Sequence, residues 1–80
     1  MLAEALEHLV RGVVDHPDEV TVRDRQVRRG LVLEVRVHPD DLGKVIGRKG
    51  RTATAFRTVI EALAGRKGTL IDFVDVDRGR

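Results

Sequence analysis

The strongest constraint on this chain lies at Gly47-Arg48-Lys49-Gly50, a four-residue turn set between two helical patterns. An apolar step, Val45-Ile46, runs into it, and a long amphipathic pattern opens directly behind it at Arg51-Thr52. Glycine has no Cβ, so a pair of glycines lets the backbone reverse tightly and approach a ligand closely. The helix that follows presents its free N–H groups and positive dipole end at the same point, where an anion is stabilised. Charge is distributed to match. Between Leu42 and Ile60 there is no Asp or Glu, while Lys44, Arg48, Lys49, Arg51 and Arg57 supply five positive charges. The rest of the chain holds ten basic and thirteen acidic side chains, so the overall +2 conceals a local +5. This layout suits phosphate. The bland reading is an ordinary interhelical turn with solvated charges.

Around the turn, the remaining pattern predicts a small α+β fold. Leu2, Leu6, Leu9, Val10, Val13 and Val14 recur at helical spacing, which predicts an amphipathic helix over about 2–15. Gly12 falls inside it, at about 1 kcal/mol relative to Ala, and is read as a point of close packing. His16-Pro17-Asp18 stops the helix, because a residue before proline is pushed out of the α region. Val20 to Val27 reads as a half-solvated strand and Arg28-Arg29-Gly30 as a turn. Leu31, Leu33, Val35 and Val37 then alternate with Glu34, Arg36 and His38, completing an antiparallel hairpin with one apolar face.

A second His-Pro-Asp, at His38-Pro39-Asp40, opens a short helix that ends near Ile46. The helix behind the turn runs from Arg51 to about Ala64, closed by Gly65 and Gly68 with Arg66-Lys67 between them. At 100° per residue its apolar positions cover an arc of roughly 200°, about twice what one core requires. Phe56, Ile60 and Leu63 are expected in the core, which leaves Ala55, Val59 and Ala62 for a groove wall or a partner subunit. Thr69 to Val76 reads as a last strand of ambiguous parity, since Leu70, Val74 and Val76 compete with Ile71 and Phe73 for the inward face. Arg78-Gly79-Arg80 is expected to fray. The predicted order is αββααβ: one domain over 1–77, with a three-stranded sheet covered on one face by three helices, and a tail over 78–80.

VIGRKGRTATAF is similar to the VIGxxGxxI signature of KH domains, with Gly47 and Gly50 as its glycines and Arg48-Lys49 as its variable pair. The element order resembles the prokaryotic, type II, arrangement. HPDEV, DDLGKVIGRKGR and RTVIEAL extend the likeness, over residues 1–77, to the small single-KH RNA-binding proteins of bacteria. The chain departs from the motif at Thr52-Ala53, where a branched apolar residue is usual, and at Phe56, where Ile is commoner.

The resemblance implies that short helix, turn and long helix clamp about four nucleotides of single-stranded RNA. Its site would comprise Gly43, Lys44, Val45, Ile46, Gly47, Arg48, Lys49, Gly50, Arg51, Ala53, Thr54 and Arg57. Backbone N–H groups of Arg48 to Arg51 would hold phosphates. Bases would lie against Val45, Ile46 and Ala53, with strand residues such as Val35 or Val37, although a plain core role fits Val45, Ile46 and Ala53 equally well. The resemblance further implies RNA-chaperone or post-transcriptional regulatory work. It also implies pairing, as a homodimer or with a larger KH protein of the KhpB (Jag) kind, through a surface such as Ala55, Val59 and Ala62.

Composition excludes several other classes. Eighty residues, 41% of them apolar, allow one modest core, and the lack of cysteine removes disulfides and thiolate metal sites. No apolar run approaches the ~20 residues that span a bilayer, and the N-terminus has no basic-then-apolar leader, so a cytoplasmic location is expected. Only Phe56 and Phe73 are aromatic, too few for a base-stacking platform. Gly43 is followed after four residues by Arg48-Lys49-Gly50, not by the Gly-Lys-Ser/Thr of a phosphate-binding P-loop. Without Ser, Cys or a carboxylate–histidine pairing, no enzymatic activity, cofactor or small-molecule substrate is expected. His8, His16 and His38 lack metal-ligand spacing, and Asp72, Asp75 and Asp77 lack the glycine-turn loop of a calcium site. Arg23, Arg25, Arg28 and Arg29 read as a solvated face.

Two alternatives to RNA binding stay open. Arg51, Thr54, Arg57 and Thr58 would read a DNA major groove in a helix-turn-helix scheme. The wide apolar arc of the long helix would instead suit a protein-interaction adaptor.

Overall fold

Leucine and valine at helical spacing wind the N-terminal segment into α1, Leu2–Arg11, whose Leu6 and Val10 are fully buried. The computed structural model describes residues 2–28, 30–65 and 69–74. Helix α1 is shorter than its periodicity suggests. The N–H groups of Gly12 and Val13 donate to Leu9 O (3.2 Å) and Val10 O (3.0 Å), a tightened last turn that ends the helix before Val13 and Val14. Gly12 therefore stands beyond α1. A Cβ there would come no closer than 3.4 Å to Leu9 O, an ordinary contact, so the position imposes no need for glycine.

Strands β1, Thr21–Val27, and β2, Gly30–Arg36, pair antiparallel from Thr21↔Arg36 to Val27↔Gly30. Gly30 thus opens β2 and is not the last residue of the turn. Strand β3, Thr69–Val74, joins the other edge of β2 in parallel, from Leu31↔Thr69 to Arg36↔Val74. Parallel neighbours require a crossover. Here it is made of α2, Leu42–Ile46, and α3, Arg51–Ala64, which completes the order αββααβ.

Register settles the parity of β3. Residues directly opposed across a ladder share a face, so Thr69, Ile71 and Phe73 lie with Leu31, Leu33 and Val35 against the helices, while Leu70 points away. The core joins Leu6 and Val10 of α1 to Val20, Leu33, Val35, Val37, Val45 of α2, and Phe56 and Ile60 of α3. Phe73 meets Phe56 with ring centroids 6.4 Å apart. The open face carries Arg23, Arg25, Glu34 and Arg36, with Arg25 and Glu34 paired at 3.3 Å, as a solvated surface would be.

Leu63 is a correction. It is 60% exposed, because the buried stripe of α3 follows the i, i+4 line from Phe56 to Ile60 and continues to half-buried Ala64. The expected cations Arg66-Lys67, Val76 and the 78–80 tail lie outside the described residues. Among those described, no helix is long and apolar enough to cross a membrane.

Candidate nucleic-acid interface

Helix α2 has five residues, too few to be stable alone. It is held by its neighbours: Val45 is sunk into the core, and Asp41, at its start, is bonded to the α1–β1 connection. Its C-terminus closes at Gly47, whose N–H donates to Gly43 O at 2.8 Å.

Gly47 then adopts φ 77°, ψ 171°, a conformation closed to residues with a side chain. A Cβ here would also lie 2.3 Å from Thr52 Oγ1 and 2.8 Å from Thr52 N, so the first turn of α3 closes onto bare backbone. Lys49 (φ 56°, ψ 25°) and Gly50 (φ 75°, ψ 16°) follow in the left-handed region, which swings the chain into α3. The turn uses part of its own hydrogen-bonding capacity. Gly50 N–H donates to Gly47 O (3.1 Å) and Arg51 N–H to Arg48 O. Of the N–H groups of Arg48 to Arg51, those of Arg48 and Lys49 make no such bond among the described residues.

The side chains of Arg48, Lys49, Arg51 and Arg57 are exposed, and none enters an ion pair among the described residues. Lys44 differs. Its ammonium sits 2.9 Å from Asp15 Oδ2, and that hydrogen bond, with the Asp15 charge, raises its pKa. Thr54 Oγ1 donates to Gly50 O (2.9 Å) and Thr58 Oγ1 to Thr54 O (3.0 Å), so both hydroxyl protons are turned back onto their own helix.

The apolar residues beside the turn differ in exposure. Val45, Val35 and Val37 are buried in the core, whereas Ile46 is 37% exposed and Ala53 half-buried. Gly43 is open, with nothing within 4 Å of where a Cβ would stand. On α3, Ala55, Val59 and Ala62 are exposed, joined by Leu63. The roles of three residues escaped the sequence reading: Thr52, which packs on Gly47, Asp15, which pairs with Lys44, and Asp41, whose place before α2 reads only as favourable to the helix dipole.

The sequence model of the family described as "KhpA/KhpB, KH domain" matches residues 3–75. The chain belongs to the KhpA/KhpB KH-domain family. Relatives within it include the RNA-binding protein KhpA of Streptomyces coelicolor, 69% identical over the full length of both chains. The RNA-binding protein KhpA of Mycobacterium bovis is 58% identical over 98% of this chain and 96% of its own. That of Halalkalibacterium halodurans is 44% identical over 88% of this chain and 95% of its own. No solved structure matches the chain. The αββααβ order and three-stranded mixed sheet described above are consistent with a KH-like fold.

Proposed function

We propose that this KH-family protein binds single-stranded RNA through the GRKG turn, as a cytoplasmic RNA chaperone or post-transcriptional regulator working with a KH-containing partner. One observation carries the reading: two backbone donors and four cations without partners among the described residues lie at or beside a glycine turn, in a stretch of sequence with no carboxylate from Leu42 to Ile60. Arg48 and Lys49 supply charge, their N–H groups address phosphate oxygens, and Gly43, Gly47 and Gly50 let the strand approach. Lys44, Arg51, Thr54 and Arg57 flank the path, with Ile46 and Ala53 as apolar contact for bases and Val45 as its buried support. Relatives named as RNA-binding proteins support the ligand class.

The test is a titration against short single-stranded RNA, single-stranded DNA and duplex DNA at two salt concentrations. RNA is expected to bind best, with a log–log salt slope of about −0.7 per phosphate contacted. Arg48→Asp with Lys49→Asp reverses two charges on an exposed turn. It is expected to remain folded and to lose at least about a hundredfold in affinity; unchanged binding sinks the mechanism. A preference for duplex DNA would favour the helix-turn-helix scheme, which a five-residue α2 and two back-bonded threonines serve poorly.

A second reading, assembly, rests on α3. Val59 is 41% exposed beside Ala55, Ala62 and Leu63, an apolar strip that a homodimer, or a heterodimer with a KhpB-like protein, would cover. Val59→Asp is expected to leave a folded monomer by light scattering. A wild type that is monomeric both alone and with such a partner counts against assembly.

A further inference from the structure

His-Pro-Asp occurs twice in the chain, and neither copy contributes a residue to the RNA site proposed above. The fold brings them together. Each proline opens a 3-10 turn, Pro17–Glu19 and Pro39–Asp41. The rings of His16 and His38 stack with centroids 3.9 Å apart and planes 12° from parallel. Beside the stack Asp41 is 1% exposed, and its carboxylate accepts from Asp15 N–H (3.3 Å), His16 N–H (2.9 Å) and His16 Nδ1 (2.9 Å). Asp41 is the residue from which α2 starts, yet its side chain does not cap that helix. Among the described residues, every bond it accepts comes from the α1–β1 connection. Since α2 has no stability of its own, the placing of the GRKG turn at its far end depends on this anchor and on Val45.

The two imidazoles play different parts. Nδ1 of His38 accepts from Asp40 N–H at 3.1 Å, which leaves the ring proton on Nε2. Nδ1 of His16 faces an ionised carboxylate, which only accepts, and therefore donates. The charged groups around the stack are Asp15 and Glu19 from the α1–β1 connection, with Asp40, Asp41 and Lys44 from the other side. Lys44 is engaged by Asp15, and Asp40 Oδ2 lies 3.8 Å from His38 Nδ1. The hydrogen bond to Asp41 lifts the His16 ring above its ordinary 6.5, helped by the charges of Asp41, Glu19 and Asp15 and opposed by burial. Burial works to raise the Asp41 carboxyl. The bonds from the His16 ring and from the N–H groups of Asp15 and His16 outweigh it and hold the group below its ordinary 3.8.

A raised histidine stabilises fully below 6.5, and that contribution is lost as pH rises through the raised value. A lowered carboxyl stabilises above 3.8, and its contribution is lost as pH falls through the lowered value. Both therefore act in full between 3.8 and 6.5.

We propose that the His16–Asp41 pair is a proton-dependent anchor that positions α2 and the GRKG turn, so that affinity for single-stranded RNA falls as His16 loses its proton. This rests on the RNA reading above. The two backbone bonds to Asp41 persist when the ring is neutral, so the loss is partial, about two- to fivefold. Asp41 and His16 are positioning residues and touch no RNA.

The test is RNA titration from pH 5.5 to 8.5 at constant ionic strength on wild type, His16→Asn and His8→Asn, with the histidine ring signals followed by NMR over the same range. Asn keeps an amide N–H for Asp41 but has no titrating proton. Wild type and His8→Asn are expected to lose affinity through the midpoint of the His16 ring, while His16→Asn binds at the wild type's high-pH level with a flat profile. An RNA-independent readout accompanies it: the melting-temperature gap between wild type and His16→Asn narrows from pH 6 to pH 8. A gap that does not narrow, a flat wild-type binding profile, or a slope retained in His16→Asn overturns the proposal and leaves the RNA reading standing. No RNA binding at any pH overturns both.

Discussion

Gly47 and Gly50 look equivalent in the motif but are constrained for different reasons. Gly47 combines a backbone conformation reserved for glycine with a position where a Cβ would collide with Thr52 Oγ1 and the Thr52 backbone. Gly50 has open space around its absent side chain and only a left-handed backbone to maintain. Gly50→Ala is therefore expected to cost about 1–2 kcal/mol. Gly47→Ala is expected to cost more than that and to displace the turn; urea denaturation and RNA titration of the two variants measure the difference, and equal costs would refute it. The glycines and cations of the turn were legible from their spacing alone. Thr52 was not, because its packing on Gly47 exists only once α3 has closed. Asp41 was hidden for a similar reason: an aspartate before a helix reads as a dipole partner, and only the fold shows it turned to the α1–β1 connection.

At the level of elements, α3 divides its apolar residues between two tasks. Ile60 is fully buried and Leu63 mostly exposed, although both lie on the wide arc. Ile60→Ala is expected to cost about 2–5 kcal/mol through lost burial and the cavity left behind. Leu63→Ala is expected to change stability by no more than about 0.5 kcal/mol. Chemical denaturation of the pair decides it, and a large loss at Leu63 would return that residue to the core. Periodicity made the existence and bounds of α3 readable, but not which half of a wide arc faces inward, because that depends on where the sheet lies. The same limit applied to β3, whose two candidate faces are both apolar; only pairing with β2 selected Ile71 and Phe73. In α1 the pattern ran past the helix, since Val13 and Val14 keep the spacing while the backbone has already tightened at Gly12.

Across the whole molecule, acid and base are segregated along the chain. The window from Leu42 to Ile60 carries all the local positive excess and lies entirely within the crossover from β2 to β3. The hairpin and α1 involve neighbours in sequence, whereas the parallel pairing of β2 with β3 joins residues on either side of that crossover. Such long-range pairing is intrinsically slower to form than a local hairpin. A chain cut short before residues 69–74 still carries the whole GRKG turn but lacks the β3 strand that closes the crossover onto β2. Such a truncated copy is expected to hold the turn loosely, and so to compete poorly for whatever the finished protein holds.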